Sequence, residues 1–199
     1  MIKAIETRYK GYRFRSRLEA RWAVFFDALG IEWEYEKEGY DLGEAGWYLP
    51  DFWLPSLKLY IEIKPTSYAY DPDHWGAWRD KVIAFRYFNA IVCCFGEPTV
   101  ENMSVIYCFD VTDSGGGEYE KACGWSYCHH CEHPTLLISK HDSRLVRGDR
   151  ELLSDVGMNI SLSINDCNSK HRDRNYVDFR VIDAVNAARA ARFEFGEQG

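Results

Sequence analysis

The stretch Tyr48-Leu-Pro-Asp-Phe-Trp-Leu-Pro-Ser-Leu-Lys-Leu-Tyr-Ile-Glu-Ile-Lys64 constrains this chain more than any other. It reads as two short strands, residues 48–54 and 58–64, folded about Pro55-Ser56 into a hairpin. With the loop centred between Ser56 and Leu57, an antiparallel register sets Asp51 opposite Glu62, and opposed residues project from the same face. Glu62 and Lys64 are two apart and share that face, while Ile61 and Ile63 point into a core. Two carboxylates and an ammonium therefore converge on an otherwise apolar hairpin. Paired carboxylates repel unless something neutralises them, and a divalent cation held by oxygen ligands, magnesium or manganese in preference to zinc, is one solution. A cross-strand salt bridge from Lys64 to Asp51 or Glu62 on a solvated face is the other.

The flanking segments supply the rest of a fold. Leu18, Trp22, Phe25, Phe26 and Leu29 follow helical spacing, Ser16 and Glu19 fit a capping box at its start, and Gly30 sits at its C-terminal cap. Ile31, Trp33 and Tyr35 alternate with Glu32, Glu34 and Glu36 as in a half-buried strand. Asp71-Pro72-Asp73 starts a second helix, with Trp75, Trp78, Val82 and Phe85 on one face. Residues 90–95 and 104–109 are apolar runs of strand length, in which Cys93, Cys94 and Cys108 read as small core residues. A last helix over 178–195 carries Val181, Ile182, Val185 and Ala188 as its packing stripe, with Arg189 and Arg192 on another face. The order predicts an α/β fold with a mixed sheet. Asp113-Ser-Gly-Gly-Gly-Glu118 reads as a linker, dividing the chain into a core over 1–112, a Gly-rich connection over 113–120 and a Cys/His segment with the final helix over 121–199.

Composition narrows the function classes. With 199 residues and 46% hydrophobic, the chain is not of the disordered type. No apolar run approaches the roughly 18 residues of a membrane span, and the opening Met1-Ile-Lys-Ala-Ile-Glu6 is too short and mixed for a signal peptide. Seven cysteines cannot all pair within one chain, so a reducing cytoplasm is expected. The net charge of −7 argues against wholesale coating of nucleic acid. Locally the balance reverses: residues 3–21 carry a net +5, with Tyr9, Tyr12 and Phe14 interleaved, as on phosphate-gripping and base-stacking surfaces. Arg13, Arg15 and Arg17 are the expected phosphate contacts, with an ordinary solvated loop as the alternative. Arg79, Lys81 and Arg86 are further candidates that solubility alone would also explain. The acidic stretch 32–44 is expected to lie away from any phosphate backbone.

Cys128-His-His-Cys131 has the spacing that sets two thiolates on one metal. Cys167 with His171 would complete a tetrahedral structural zinc site. Cys123, His129, His130 and His133 are competing ligands, and free thiols in a reduced protein are the alternative.

Pro50-Asp51, ten intervening residues and Glu62-Ile-Lys64, preceded by a helix bearing Glu19, resemble the PD-(D/E)xK nuclease superfamily. The resemblance covers residues 9–98 and includes Phe14-Arg-Ser-Arg-Leu-Glu-Ala-Arg-Trp-Ala23 and Leu29-Gly-Ile-Glu-Trp-Glu-Tyr35. It looks closest to phage-type and transposon-end-cleaving members. It implies a restriction-endonuclease-like mixed β-sheet flanked by helices, and Mg²⁺- or Mn²⁺-dependent hydrolysis of phosphodiesters, in DNA ahead of RNA. Asp51 and Glu62 would bind the metal with the Ile63 carbonyl, and Lys64 would orient the water or stabilise the pentavalent transition state. Glu19 matches the first-helix acid of many members. Its competing role is the capping box with Ser16, and both would hold only if the helix began a turn earlier. Phage-type relatives look as if they carry a zinc-ribbon-like tail, placing the protein in a host cytoplasm. The sequence is silent on oligomeric state; a homodimer or a protein partner would fit, because double-strand cutters with one site per chain often pair. The alternative is a nucleic-acid-binding accessory subunit with weak or partner-dependent cleavage. A zinc-dependent adaptor is a third reading, opposed by the basic run.

Overall fold

The computed structural model describes residues 4–70, 76–86, 89, 91–99, 104–110, 117–127, 132–138 and 178–193. The chain opens with a hairpin of β1 (Thr7–Tyr9) and β2 (Tyr12–Phe14). Its turn is Lys10-Gly11, both with positive φ (48° and 83°), the two-residue turn that matches strand twist and that glycine accommodates. Helix α1 (Arg17–Ala28) follows. Ser16 caps it by accepting from the Glu19 N–H and donating to the Glu19 carboxylate. Gly30, at φ 70°, ends it: Gly30 N–H bonds Asp27 O and Ile31 N–H bonds Phe26 O, a Schellman closure.

Next come β3 (Glu34–Tyr35), β4 (Tyr40–Asp41), β5 (Trp47–Tyr48), β6 (Phe52–Leu54) and β7 (Leu59–Lys64). They are followed by a short α2 (Ser67–Tyr70), α3 (Gly76–Arg86), β8 (Ile91–Phe95) and β9 (Ser104–Asp110). β10 (Gly117–Tyr127), β11 (Pro134–Ile138) and α4 (Phe179–Ala190) complete the described elements. Seven strands form one sheet in the order β11-β10-β9-β8-β7-β6-β3. Among the described strands only β7 and β8 pair in parallel, and the crossover between them carries α2 and α3. The expected mixed α/β architecture is present.

The central hairpin has the register read from the sequence. Phe52, Trp53 and Leu54 pair with Ile61, Tyr60 and Leu59 about a four-residue loop, which is closed by Leu57 N–H to Leu54 O and Lys58 N–H to Pro55 O. Continuing outward, Asp51 comes opposite Glu62. One face of the sheet (Phe52, Leu54, Leu59, Ile61, Ile63, Val92 and Cys94) packs on Trp22, Phe25 and Phe26 of α1. The other face joins Tyr60, Ile91 and Cys93 to Tyr48 and to Val82 and Phe85 of α3. Cys93 and Cys94 are buried free thiols, as expected.

Several details differ from the sequence reading. The strand over 48–54 is broken: β5 pairs with β4 in a separate small sheet, and only β6 stays in the main one. Pro50 sits at the break, where its missing N–H cannot serve a ladder. The strand after α1 is confined to Glu34–Tyr35. The boundary at 113–120 also fails, because β10 begins inside it and runs to 127 as a strand of the same sheet. Trp125 of β10, together with Val181, Ala184, Val185 and Ala188 of α4, belongs to the core that α1 packs on. These described parts of 121–199 therefore finish the first core instead of forming a second body. Ile182 is half-exposed and Ala184 takes its place in the stripe, giving the i, i+3, i+4, i+7 pattern of a single packed face. The helix ends at Ala190, short of 195. Cys128, Cys131, Cys167 and His171 lie outside the described residues, as do positions 71–75, where the second helix was expected to start. Among the described residues no helix is long and apolar enough to cross a membrane.

Candidate functional site

The break at Pro50 leaves Asp51 at the mouth of the hairpin with its carboxylate turned toward β7. Oδ2 accepts the Ile63 N–H at 2.7 Å, and Oδ1 accepts Arg15 Nη2 at 2.6 Å. Opposite, Glu62 accepts from the Tyr48 hydroxyl at 2.7 Å on Oε2 and from the Lys64 ammonium on Oε1. Lys64 Nζ lies 5.7 Å from the Trp78 ring centroid. Asp51 and Glu62 are only 2% and 4% exposed. The solvated face that a simple surface salt bridge would need is therefore absent: the Lys64–Glu62 pair exists, but in a site walled by α3 and Tyr48.

The N-terminus of α1 enters from the side. Glu19 is buried; its Oε1 accepts from Ser16 Oγ, and its Oε2 from the Arg15 N–H and the Tyr35 hydroxyl. Arg15 bridges outward, with Nε on Glu36 Oε1 at 2.7 Å. The Glu36 N–H in turn donates to Asp51 O at 2.9 Å.

Burial pushes the Asp51 carboxyl well above the usual range, helped by Glu62 and by Glu19, while Lys64 and Arg15 pull the other way without prevailing. For Lys64, burial pulls down, but Glu62 and Asp51 outweigh it and hold the ammonium above its ordinary value. Burial and Glu62 push the Tyr48 phenol up, so it stays a donor. The same holds for Tyr35 through burial and its bond to Glu19. Cys93, which pairs with Glu62 across the parallel ladder, is a buried thiol pushed up by desolvation and by that neighbour, and stays neutral.

The backbone orientation at Ile63 follows from the ladder. Lys64 O accepts from the Gly96 N–H on the β8 side, whereas the Ile63 N–H faces Asp51. In an extended strand a residue's N–H and C=O point the same way, so the Ile63 carbonyl also faces the Asp51 side.

The donor set is one of hard oxygens: two buried carboxylates, each with lone pairs left over, and a carbonyl on the same side. Such a set suits magnesium or manganese. Among the described residues no three His, Cys, Asp or Glu side chains cluster closely enough to hold a metal unaided. Waters or substrate oxygens would have to complete the shell, as is usual for magnesium.

Asp51, Glu62, Ile63, Lys64, Glu19 and Arg15 thus come together. Arg13 does not: it pairs with Glu6 on the exposed hairpin. Arg17 is half-buried in the first turn of α1 and makes no ion pair among the described residues. Glu19 serves the capping box, with α1 starting at Arg17, and its charge also raises the Asp51 carboxyl. The acidic stretch 32–44 is not wholly remote either, since Glu36 reaches Arg15 at the site.

Tyr48, Tyr35, Glu36 and Cys93 were missed as neighbours of the site. The β3–β6 register, Tyr35 opposite Phe52, carries Glu36 alongside Asp51, a signal visible once the strands are paired. Tyr48 could not be placed without the break at Pro50. No protein-family model, no curated protein and no solved structure matches this chain.

Proposed function

We propose that the chain is a metal-dependent nuclease hydrolysing the phosphodiester bonds of nucleic acid, a DNA endonuclease in the first instance, on a restriction-endonuclease-like fold. The observation that carries this reading is the buried Asp51–Glu62 pair beside a protonated Lys64. Two carboxylates kept out of water at the mouth of a hairpin add nothing to stability that apolar residues would not. Together with Glu19 they outnumber Lys64 and Arg15 by one charge, an excess that suits a cation. Asp51, Glu62 and the Ile63 carbonyl would hold Mg²⁺ or Mn²⁺, which supplies a Lewis acid and a water of lowered pKa when bound.

The other residues have roles that follow from their contacts. Lys64, held above its ordinary pKa, acts as a cation offsetting charge that builds on the phosphate, not as a base. Tyr48 fixes the Glu62 carboxylate through its 2.7 Å bond. Glu19 fixes the Arg15 main chain and Tyr35. Arg13 and Arg17 provide phosphate contacts on the approach along β2 and α1. In the same reading Cys128, Cys131, Cys167 and His171 hold a structural zinc, which metal analysis of protein purified without chelator would detect.

Incubation with supercoiled plasmid, linear duplex, single strands and RNA, with and without Mg²⁺ or Mn²⁺, tests the activity. Metal-dependent nicking or linearisation is expected, lost in Asp51→Asn and Lys64→Met variants that remain folded. Undiminished cleavage by both variants would sink the assignment. A second reading, an accessory subunit that binds without cutting alone, is favoured by the way Arg15 and Lys64 already neutralise the acids. Tight nucleic-acid binding with no cleavage under any metal would select it.

A further inference from the structure

We infer that Arg15 is the resident counter-ion of Asp51 in the metal-free protein, and that it is released to grip a substrate phosphate when a divalent cation takes Asp51. This rests on the nuclease reading above and adds a coupling between metal and nucleic-acid binding at that site.

Four observations combine. First, the Arg15 main chain is fixed: its N–H is shared by Glu19 Oε2 (3.2 Å) and the Tyr35 hydroxyl (3.1 Å), and it lies between buried Phe14 and the N-cap Ser16. Only the side chain is free to exchange partners. Second, the Arg15 side chain is 56% exposed while the Asp51 side chain beneath it is 3% exposed. The guanidinium therefore reaches a buried acid from the solvent side and can leave without opening the core. Third, Lys64, the other cation of the site, has a side chain only 20% exposed and sits on Glu62. Of the two, Arg15 is the exchangeable one. Fourth, Arg15 also bonds Glu36 through Nε, and the Glu36 side chain is 27% exposed. That second partner gives the guanidinium a place to remain, beside the site, after Asp51 is lost to it.

The competition is direct. Arg15 Nη2 lies 2.6 Å from Asp51 Oδ1, so a divalent cation bound to that oxygen and the guanidinium would repel at contact distance. The guanidinium is half-exposed and keeps Glu36, and the cation takes its place on Asp51, so the exchange leaves no buried charge unpaired. A freed arginine suits a phosphate oxygen pair bidentately. Because the metal frees the phosphate-binding group, each ligand strengthens the other by the same factor.

The measurement is calorimetric titration with Mn²⁺ at pH 8 on wild type and Arg15→Gln. Loss of the competing guanidinium should tighten Mn²⁺ binding about tenfold, equivalent to ~1.4 kcal/mol. In the wild type, the Arg15 Nε–Hε NMR resonance, assigned by its disappearance in the variant, should shift as Mg²⁺ is added. Duplex affinity should rise on adding non-cleaving Ca²⁺ to the wild type, and by about tenfold less in Arg15→Gln. Equal or weaker Mn²⁺ binding by Arg15→Gln, with an unmoved Nε–Hε resonance, overturns the release while leaving the nuclease reading intact. Absence of Mn²⁺ binding by both proteins overturns the nuclease reading and the release with it. Should Arg15→Gln fail to fold, Arg15→Lys supplies the assignment instead, and the wild-type resonance then decides: a shift supports release, and no shift refutes it.

Discussion

Asp51→Asn should stabilise the metal-free protein at pH 8 while abolishing cleavage. Burial and Glu62 raise the Asp51 carboxyl in the folded state, so the folded protein binds that proton more tightly than the unfolded chain does. Stability contributed by the proton is fully present below the unfolded carboxylate range, near pKa 3.9, and is lost as pH rises through the folded value. More of it is lost at pH 8 than at pH 5. Asparagine has the same shape, keeps an oxygen for the Ile63 N–H, and carries no charge into the site. Arg15, half-exposed and already on Glu36, loses its second partner at small cost. Relief of that charge burial and of the facing Glu62 carboxylate should bring a gain of about 2 kcal/mol, the upper end for a single stabilising substitution. For a chain of this length that is a rise of ~4–8 °C in Tm. Urea unfolding in EDTA at pH 8 and at pH 5 measures it, and the gain should shrink at the lower pH as the wild-type Asp51 regains its proton. A variant less stable than wild type at pH 8, or a difference identical at both pH values, would refute the electrostatic account.

Tyr48→Phe leaves Glu62 Oε2 without its buried donor and should cost ~1.5–3 kcal/mol in urea unfolding, the range for hydrogen bonds to charged groups. A change within ~0.5 kcal/mol would mean that the hydroxyl does not hold the carboxylate. Gly96→Ala should cost about 2 kcal/mol, because φ is 77° there and an added Cβ would collide with the Thr66 side chain. Since the Gly96 N–H holds Lys64 O, the same variant should also slow cleavage, and unaltered rates would separate Lys64 from that support. The rate–pH profile should show no loss from Lys64 deprotonation below about pH 10.4, the ordinary lysine value, because its ammonium is held higher still. A loss between pH 8 and 9 that disappears in Lys64→Arg would contradict this.

How far the sequence could be read depended on how local the cause was. The hairpin register, the capping box and the Gly30 closure are set by residues within a few positions of one another, and all three were readable. So was the convergence of Asp51, Glu62 and Lys64, which needs only strand alternation and a loop centre. The β1–β2 hairpin was missed because its residues are charged and aromatic with no apolar run; the signal was Lys10-Gly11 alone. The ion pair of Arg15 with Asp51 was not legible, because a dense basic stretch reads as a solvent-facing surface, whereas one of its members is drawn onto a buried acid 36 residues away. The boundary at 113–120 failed for a similar reason: glycines mark a break in local order but say nothing about whether the strand beyond rejoins the sheet.

Because Trp125, Val181, Ala184, Val185 and Ala188 fill the same core as Trp22, Phe25 and Phe26, α1 cannot complete the burial of its apolar residues until the far end of the sequence is available. The contacts are separated by about 100 to 160 positions, which makes their closure slow relative to local pairing. During synthesis the acid-bearing hairpin would leave the ribosome long before its supporting helix could dock. A chain stopped at residue 112 would carry every proposed catalytic side chain, yet would uncover the part of α1 that Trp125 and α4 bury and be prone to aggregate.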